Sequence, residues 1–104
     1  MTLDAEDSKL VTLARASRAR NGSAEGAAVR DETGRTYAAT DVRLDSLALS
    51  AVQVAVAMAV ASGAESLEAA ALVGDGEPSA QDVAVAGELG VKSIIVAGPD
   101  GTVR

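Results

Sequence analysis

The chain has 104 residues, 48 % of them hydrophobic, and Tyr37 is its single aromatic residue, so it is long enough for one modest core of Ala, Val, Leu and Ile. It contains no His and no Cys, which excludes Cys/His zinc sites, iron–sulfur clusters, Ser-His-Asp triads and cysteine nucleophiles. Its net charge of −6 argues against nucleic acids and anionic membranes, because both attract basic surfaces. We therefore predict neither a nucleic-acid partner nor a membrane partner.

Two segments bear on where in the cell the protein is found. Residues 1–7 are acidic, where a secretory signal would be basic and then apolar. The longest apolar-rich stretch, residues 47–61, is shorter than the roughly 20 residues that span a bilayer. We expect a cytoplasmic protein that folds as one domain over residues 1–104.

The first predicted element is a helix over residues 4–20. Acidic residues crowd its start, and Arg15, Arg18 and Arg20 lie near its end, as the helix dipole favours. Gly22 supplies the stop. The three arginines are interpreted as a solvated helix end, since a basic patch for nucleic acid would need many more cations.

Two short strands follow, over residues 25–30 and 35–41. Residues 31–34, Asp-Glu-Thr-Gly, lie between them and predict a hairpin loop with glycine at its end.

A second helix is predicted from a cap at Asp45 or Ser46 to about Ser62. Apolar and small residues alternate within it as in a strand, but its length and the glycine at position 63 favour a helix. Because it is apolar nearly all round, we expect a buried central helix.

The last elements are a strand over residues 67–73, a helix over 79–89 and a strand over 92–97, followed by a turn at 98–101. The resulting order is α-β-β-α-β-α-β. Helical crossovers between the later strands predict a mixed sheet with helices on both faces, a three-layer α/β/α fold.

Several stretches also match a family pattern in order and spacing. Residues 26–37 match V-G-A-A-L…D-G-R-x-Y. Residues 50–55 lie where the pattern has C-A-E-R-x-A, and residues 77–90 lie where it has P-C-G-A-C-R-Q…E-F-G. In these stretches the chain resembles the small zinc-dependent cytidine deaminases over residues 8–104. The resemblance implies the cytidine-deaminase-like fold, truncated at the C-terminus because the family adds a fifth strand and a helix.

The departures from that pattern fall on its chemistry. The resemblance places the three zinc-binding cysteines at Ser50, Ser79 and Asp82, and the catalytic glutamate at Val52. Two hydroxyls and one carboxylate are poor zinc ligands, and valine cannot transfer a proton. The resemblance therefore implies no catalytic residue, no metal and no cofactor. The ribose-reading N-V-E-N stretch is also changed, to Asp-Val-Arg-Leu at 41–44.

Structural interpretations compete with functional ones near the third helix. Residues 79–82, Ser-Ala-Gln-Asp, form a capping-box pattern, which is the favoured interpretation. Residues 73–77 follow a strand and contain Gly-Asp-Gly, but a tight turn is favoured over a dinucleotide loop. Asp75, Glu77 and Asp82 are an alternative site for a hard cation, although helix capping is the commoner role.

The sequence thus predicts a catalytically inactive, cytidine-deaminase-like protein with a structural or protein-interaction role. We expect a homo-oligomer, dimer or tetramer, or a complex with an unidentified protein partner. In the family, the helices after strands two and three pack against other subunits, so the apolar helix at 47–62 is either core or interface. The alternative is nucleoside-like small-molecule binding, or residual hydrolase activity, in a remodelled pocket with Arg43 and Asp41.

Overall fold

The computed structural model describes residues 3–104, and its first element is helix α1, Ala5–Asn21. Asp4 caps its start by accepting a hydrogen bond from the Asp7 amide at 2.8 Å. Gly22 ends the helix in the left-handed conformation, with φ of 62°. The predicted helix is confirmed, and both of its ends shift by one residue.

Strands β1, Glu25–Asp31, and β2, Thr36–Thr40, pair antiparallel and form a hairpin with a tight turn. The Asp31 carboxylate organises its turn by accepting hydrogen bonds from the Thr33 hydroxyl at 2.7 Å and from the Arg35 amide at 3.0 Å. Gly34 has φ of 90°, a backbone conformation that L side chains rarely adopt. The predicted hairpin is confirmed.

The segment before the second helix differs from the prediction. Strands β3, Val42–Arg43, and β4, Ala48–Leu49, pair as a small separate hairpin, and helix α2 is Ala51–Ala61. The predicted start at Asp45 or Ser46 is therefore wrong. Ser50 caps α2 instead, because it forms a complete capping box with Gln53, whereas the chain before it is already bonded within the β3–β4 hairpin.

The remaining elements are strand β5, Leu67–Gly74, helix α3, Ala80–Glu88, and strand β6, Ile95–Ala97. They confirm the predicted strand, helix and strand, although β6 is shorter than residues 92–97. Only its three residues align with β5, because the segment before them bends as it leaves α3.

The strands form a mixed sheet in the order β2-β1-β5-β6, with β5 and β6 parallel and the other neighbours antiparallel. Alternate residues of β5 face opposite sides: Ala71 and Val73 pack with α1, and Ala70 and Leu72 pack with α2 and α3. The predicted three-layer α/β/α fold is confirmed. Its layers lie close together, since a Cβ at Gly26 would be 2.2 Å from the carbonyl oxygen of Ala14 in α1.

Helix α2 is buried on one face only. Its inner residues, among them Val52, Ala55 and Val56, pack in the core, whereas Met58 and Val60 are 40 % and 48 % exposed. The expected burial nearly all round is therefore not found in the single chain. Within residues 3–104, no helix is both long and apolar enough to cross a membrane.

Candidate functional site

The sheet brings the starts of α2 and α3 side by side. The Ser50 hydroxyl, which caps α2, donates a hydrogen bond of 2.5 Å to Oδ1 of Asp82 in the first turn of α3. Asp82 is buried, with 2 % of its surface exposed. Two of the positions that the family pattern assigns to zinc ligands are thus in direct contact, although 31 residues lie between them.

Asp82 also completes the capping box of α3 with Ser79, the third of these positions. The Ser79 hydroxyl accepts from the Asp82 amide at 3.0 Å, and Oδ2 of Asp82 accepts from the Ser79 amide at 3.1 Å. The predicted capping box is therefore confirmed. Both carboxylate oxygens of Asp82 have partners, one on each helix start.

Two further residues complete this cluster, and neither was predicted from the sequence. Oε1 of Gln53 accepts from the Ser50 amide at 2.9 Å, and Oε1 of Glu25 accepts from the Ala51 amide at 2.9 Å. The Ser-x-x-Gln spacing at 50–53 is a capping-box pattern that was available in the sequence. No local pattern signals Glu25, because it reaches α2 from the start of β1.

The position that the family pattern assigns to the catalytic glutamate lies inside the core. Val52 has no exposed surface and belongs to the apolar cluster between the sheet and α2. At this position the chain therefore contributes packing and has no group that transfers a proton.

Zinc does not fit this donor set. Zinc sites in proteins are built mainly from thiolates, imidazoles and carboxylates, and here two hydroxyls and one carboxylate already hydrogen-bond to helix starts and to each other. The hard-cation alternative is not supported either, since Glu77 pairs with Arg104 at 3.3 Å. Among residues 3–104, no three His, Cys, Asp or Glu side chains are grouped so that they could hold a metal ion.

A shallow groove of about 220 Å³ lies beside the cluster, between the β3–β4 hairpin and the helix starts. Arg43 at its rim donates to Oδ2 of Asp41 at 2.7 Å, and the Arg43 side chain is 72 % exposed. Burial raises the pKa of the Asp41 carboxyl, but hydrogen bonds from Arg43 and from the Glu25 amide outweigh it, so the pKa lies below its ordinary value. The two residues considered for ligand recognition therefore pair with each other.

The glycine loop before α3 has the wrong polarity for phosphate. Its carbonyl oxygens at Gly74 and Gly76 accept from the Arg104 guanidinium at 3.0 and 2.6 Å. A phosphate cradle would instead present backbone N–H groups. The tight-turn interpretation therefore fits, and the dinucleotide loop does not.

The three arginines near the end of α1 are engaged within the chain. Arg15 donates to the Pro99 carbonyl at 3.1 Å, and Arg18 donates to the Ala24 carbonyl at 3.1 Å. Arg20 lies within 3.4 Å of the Ser17 hydroxyl. These contacts support the structural interpretation of the cluster.

The chain is similar to known proteins in sequence and in fold. The profile of the family described as "Cytidine deaminase-like" matches residues 3–101. The 1.6 Å crystal structure of cytidine deaminase from Burkholderia pseudomallei superposes with a TM-score of 0.77 and 26 % identity, covering 92 % of this chain and 87 % of that chain.

A second structure, cytidine deaminase from Mycobacterium leprae, has a TM-score of 0.73 and 23 % identity, covering 97 % of this chain and 93 % of that chain, and it supports the fold alone. No curated protein matches the chain significantly. Because the family profile matches almost its whole length, the chain belongs to the cytidine deaminase-like family.

Proposed function

We propose that this chain is a catalytically inactive member of its family, a pseudoenzyme that acts through structure or protein interaction as a homo-oligomer. The observation that carries the proposal is the engagement of Asp82, whose two carboxylate oxygens bond to the Ser50 hydroxyl and the Ser79 amide. We further propose that residues 1–104 act as one domain and that the protein is cytoplasmic.

The loss of chemistry is supported position by position. Deamination in this class needs a zinc-activated water and a glutamate that transfers protons. The positions that align with the zinc ligands now cap two helices, and caps of this kind stabilise a protein by about 1 kcal/mol each. Val52 packs in the core where the glutamate would stand. The same positions therefore contribute stability in place of catalysis.

Self-association is supported by the size and make-up of the core. Its buried side chains are mostly Ala and Val, and Leu10 and Leu72 are the largest that are fully buried. A small core of small side chains removes little apolar surface from water, so the chain gains stability by burying more surface between copies.

Ligand binding in the remodelled groove is the rival function. It has less support, because the groove is small and Arg43, the charged residue of its lining, already forms an ion pair with Asp41. A thermal-shift screen against nucleosides, nucleotides and divalent metal ions separates the two functions. A ligand that binds the native state raises the melting temperature, whereas we expect no shift.

The direct test measures zinc content and turnover on one preparation of purified protein. We expect no stoichiometric zinc and no conversion of cytidine or deoxycytidine to the uridine product. An active zinc-dependent cytidine deaminase assayed in parallel controls for the assay conditions. About one zinc per chain, or turnover that scales with protein concentration, would show that the pseudoenzyme proposal is wrong.

A further inference from the structure

Another cavity lies on the α1 face of the sheet, between helix α1 and the turn at residues 98–101. Its volume is about 300 Å³, larger than the groove beside the helix starts, which measures about 220 Å³. Ligand pockets in proteins begin at about 300 Å³, so a cavity of this size suits a small molecule. None of the described residues that line it belongs to the Ser50–Asp82 cluster, so it is a separate candidate site.

Arg15 gives this cavity a positive charge. Its Nε donates to the Pro99 carbonyl at 3.1 Å, and this contact uses only one of the N–H groups of the guanidinium. The side chain also packs beside Gly101, where a Cβ would lie 3.6 Å from Cδ and 3.8 Å from Nη1 of Arg15. Within residues 3–104, neither terminal nitrogen of Arg15 forms a hydrogen bond or an ion pair. A restrained guanidinium with both terminal nitrogens open can bind a carboxylate in bidentate fashion.

Asp100 gives the same cavity a negative charge. Its two carboxylate oxygens accept hydrogen bonds from the amide and from the hydroxyl of Thr102, each at 2.9 Å. These bonds, that from the amide first, lower the pKa of Asp100 below its ordinary value against the effect of desolvation, so the group is charged at neutral pH. Each oxygen keeps a lone pair that can accept from a ligand.

The two charges line one cavity without pairing with each other. No ion pair within residues 3–104 joins Arg15 to Asp100, and each is held by a different contact with the chain. Arg43 beside the other groove differs, since it bonds directly to Asp41 at 2.7 Å. Charges that are separate and already restrained can each bind a ligand group, and little freedom is lost when they do.

An apolar wall lies beside the two charges. It consists of Leu3, Val11 and Val103, which pack with the core between α1 and the sheet. Ser8 and Thr12 add hydroxyl groups to the lining. The cavity thus combines a cation, an anion and aliphatic surface.

We propose that this cavity binds a free α-amino acid with an aliphatic side chain, whose carboxylate binds Arg15 and whose ammonium group binds Asp100. The aliphatic side chain lies against Val11 and Val103. Charge complementarity selects this class of ligand, because a zwitterion pairs with both charges, whereas a simple amine or carboxylate leaves one of them without a partner. This inference goes beyond the proposed function and does not depend on it, since it involves a separate site.

Titrations of the wild-type protein with L-leucine and two truncated analogues test the ligand class. The cavity opens to solvent, so we expect weak binding, with a dissociation constant on the order of 1 mM, measured from amide chemical shifts. Isocaproate lacks the ammonium group of leucine, and isoamylamine lacks its carboxylate. We expect each analogue to bind more weakly than L-leucine by about fivefold or more. The shifts should be centred on Thr12, Gly101 and Val103.

Two variants test which side chain binds which end of the ligand. Arg15→Gln and Asp100→Asn should each weaken L-leucine binding by about fivefold or more. Arg15→Gln should also bind L-leucine and isoamylamine alike, and Asp100→Asn should bind L-leucine and isocaproate alike. A purely structural role would not produce these exchanged preferences. Arg18→Gln is the matched control, because Arg18 lies on the same helix, donates to the Ala24 carbonyl and does not line the cavity.

The outcomes separate this inference from the proposed function. It is overturned if L-leucine gives no saturable shifts up to about 50 mM, well above the expected dissociation constant. Shifts confined to the groove beside Ser50, isocaproate or isoamylamine binding as tightly as L-leucine, or an equal loss of binding in Arg18→Gln also overturn it. If a variant fails to fold, the analogue series on the wild type still decides the ligand class. Zinc content and turnover test the lost chemistry independently.

Discussion

The Ser50 hydroxyl donates a hydrogen bond of 2.5 Å to the Asp82 carboxylate, joining the starts of α2 and α3 on one face of the sheet. Each residue also caps its own helix, so one buried carboxylate supports two helix starts. The family pattern assigns both of these positions to zinc ligands. Here the arrangement contributes to the free energy of unfolding, and this role can be measured.

Asp82→Ala should lower the free energy of unfolding by about 2 kcal/mol or more, because it removes a cap and leaves the Ser50 hydroxyl without its partner. Urea denaturation at neutral pH measures the change. Glu88→Ala, at the exposed end of the same helix, is the control and should change it by less than about 0.5 kcal/mol. Equal effects of the two substitutions would contradict the shared cap.

The alignment with the zinc ligands is tested by rebuilding the site. Ser50→Cys, Ser79→Cys and Asp82→Cys together should bind Co(II) and give the charge-transfer and visible bands of tetrahedral thiolate coordination. Contacts among the three residues make this geometry accessible. A control protein with Ser8→Cys, Ser62→Cys and Ser93→Cys, all at exposed positions, should not show these bands. If the two proteins bind Co(II) alike, the alignment is wrong.

Acid should weaken the β1–β2 turn. The hydrogen bond from the Thr33 hydroxyl, together with those from the Thr33 and Arg35 amides and from Tyr37, lowers the pKa of Asp31 below its ordinary value of 3.8, against the effect of burial. Because the folded-state pKa is the lower one, this stabilisation is complete above the unfolded pKa and is lost as the pH falls through the folded pKa.

Asp31→Asn tests that sign. Compared with the wild type, it should be less stable at pH about 7, and the difference should shrink below pH about 4. Urea midpoints across this range measure both effects. Asp45→Asn, at an exposed position of the β3–β4 hairpin, is the control. A stability difference between wild type and Asp31→Asn that does not change with pH would rule out this role for the carboxylate.

Two glycine substitutions should have opposite effects on stability. Gly26 lies where α1 packs closely on the sheet, whereas Gly87 lies at an open position of α3. Gly26→Ala should destabilise the protein by about 1–3 kcal/mol, since its Cβ would be 2.2 Å from a backbone oxygen of Ala14. Gly87→Ala should stabilise it by about 0.5–1 kcal/mol, because it lies in α3 with nothing within 4 Å. Thermal or urea unfolding measures both. Effects of the same sign would argue against the helix-to-sheet distance described here.

The start of α2 was predicted wrongly because several residues before it could cap a helix. Asp45 and Ser46 are good capping residues, and so is Ser50, so residue type alone did not choose between them. The choice follows from the β3–β4 hairpin, which bonds the earlier residues, and from the Glu25 carboxylate, which accepts from the Ala51 amide. The hairpin is local, but the Glu25 contact joins two segments that lie 26 residues apart in sequence.

The amino-acid sequence was enough to exclude Cys and His chemistry, to predict the three helices apart from the start of α2 and the four strands of the main sheet, and to identify the capping box at Ser79 and Asp82. These features depend on composition or on residues within one helical turn of each other. The contact of Ser50 with Asp82 and the exposure of the outer face of α2 were decided by the fold. The physical reason is that α2 and α3 pack on the same face of the sheet, so the order of the strands determines which helix starts meet. One layer of strands also buries only one side of each helix.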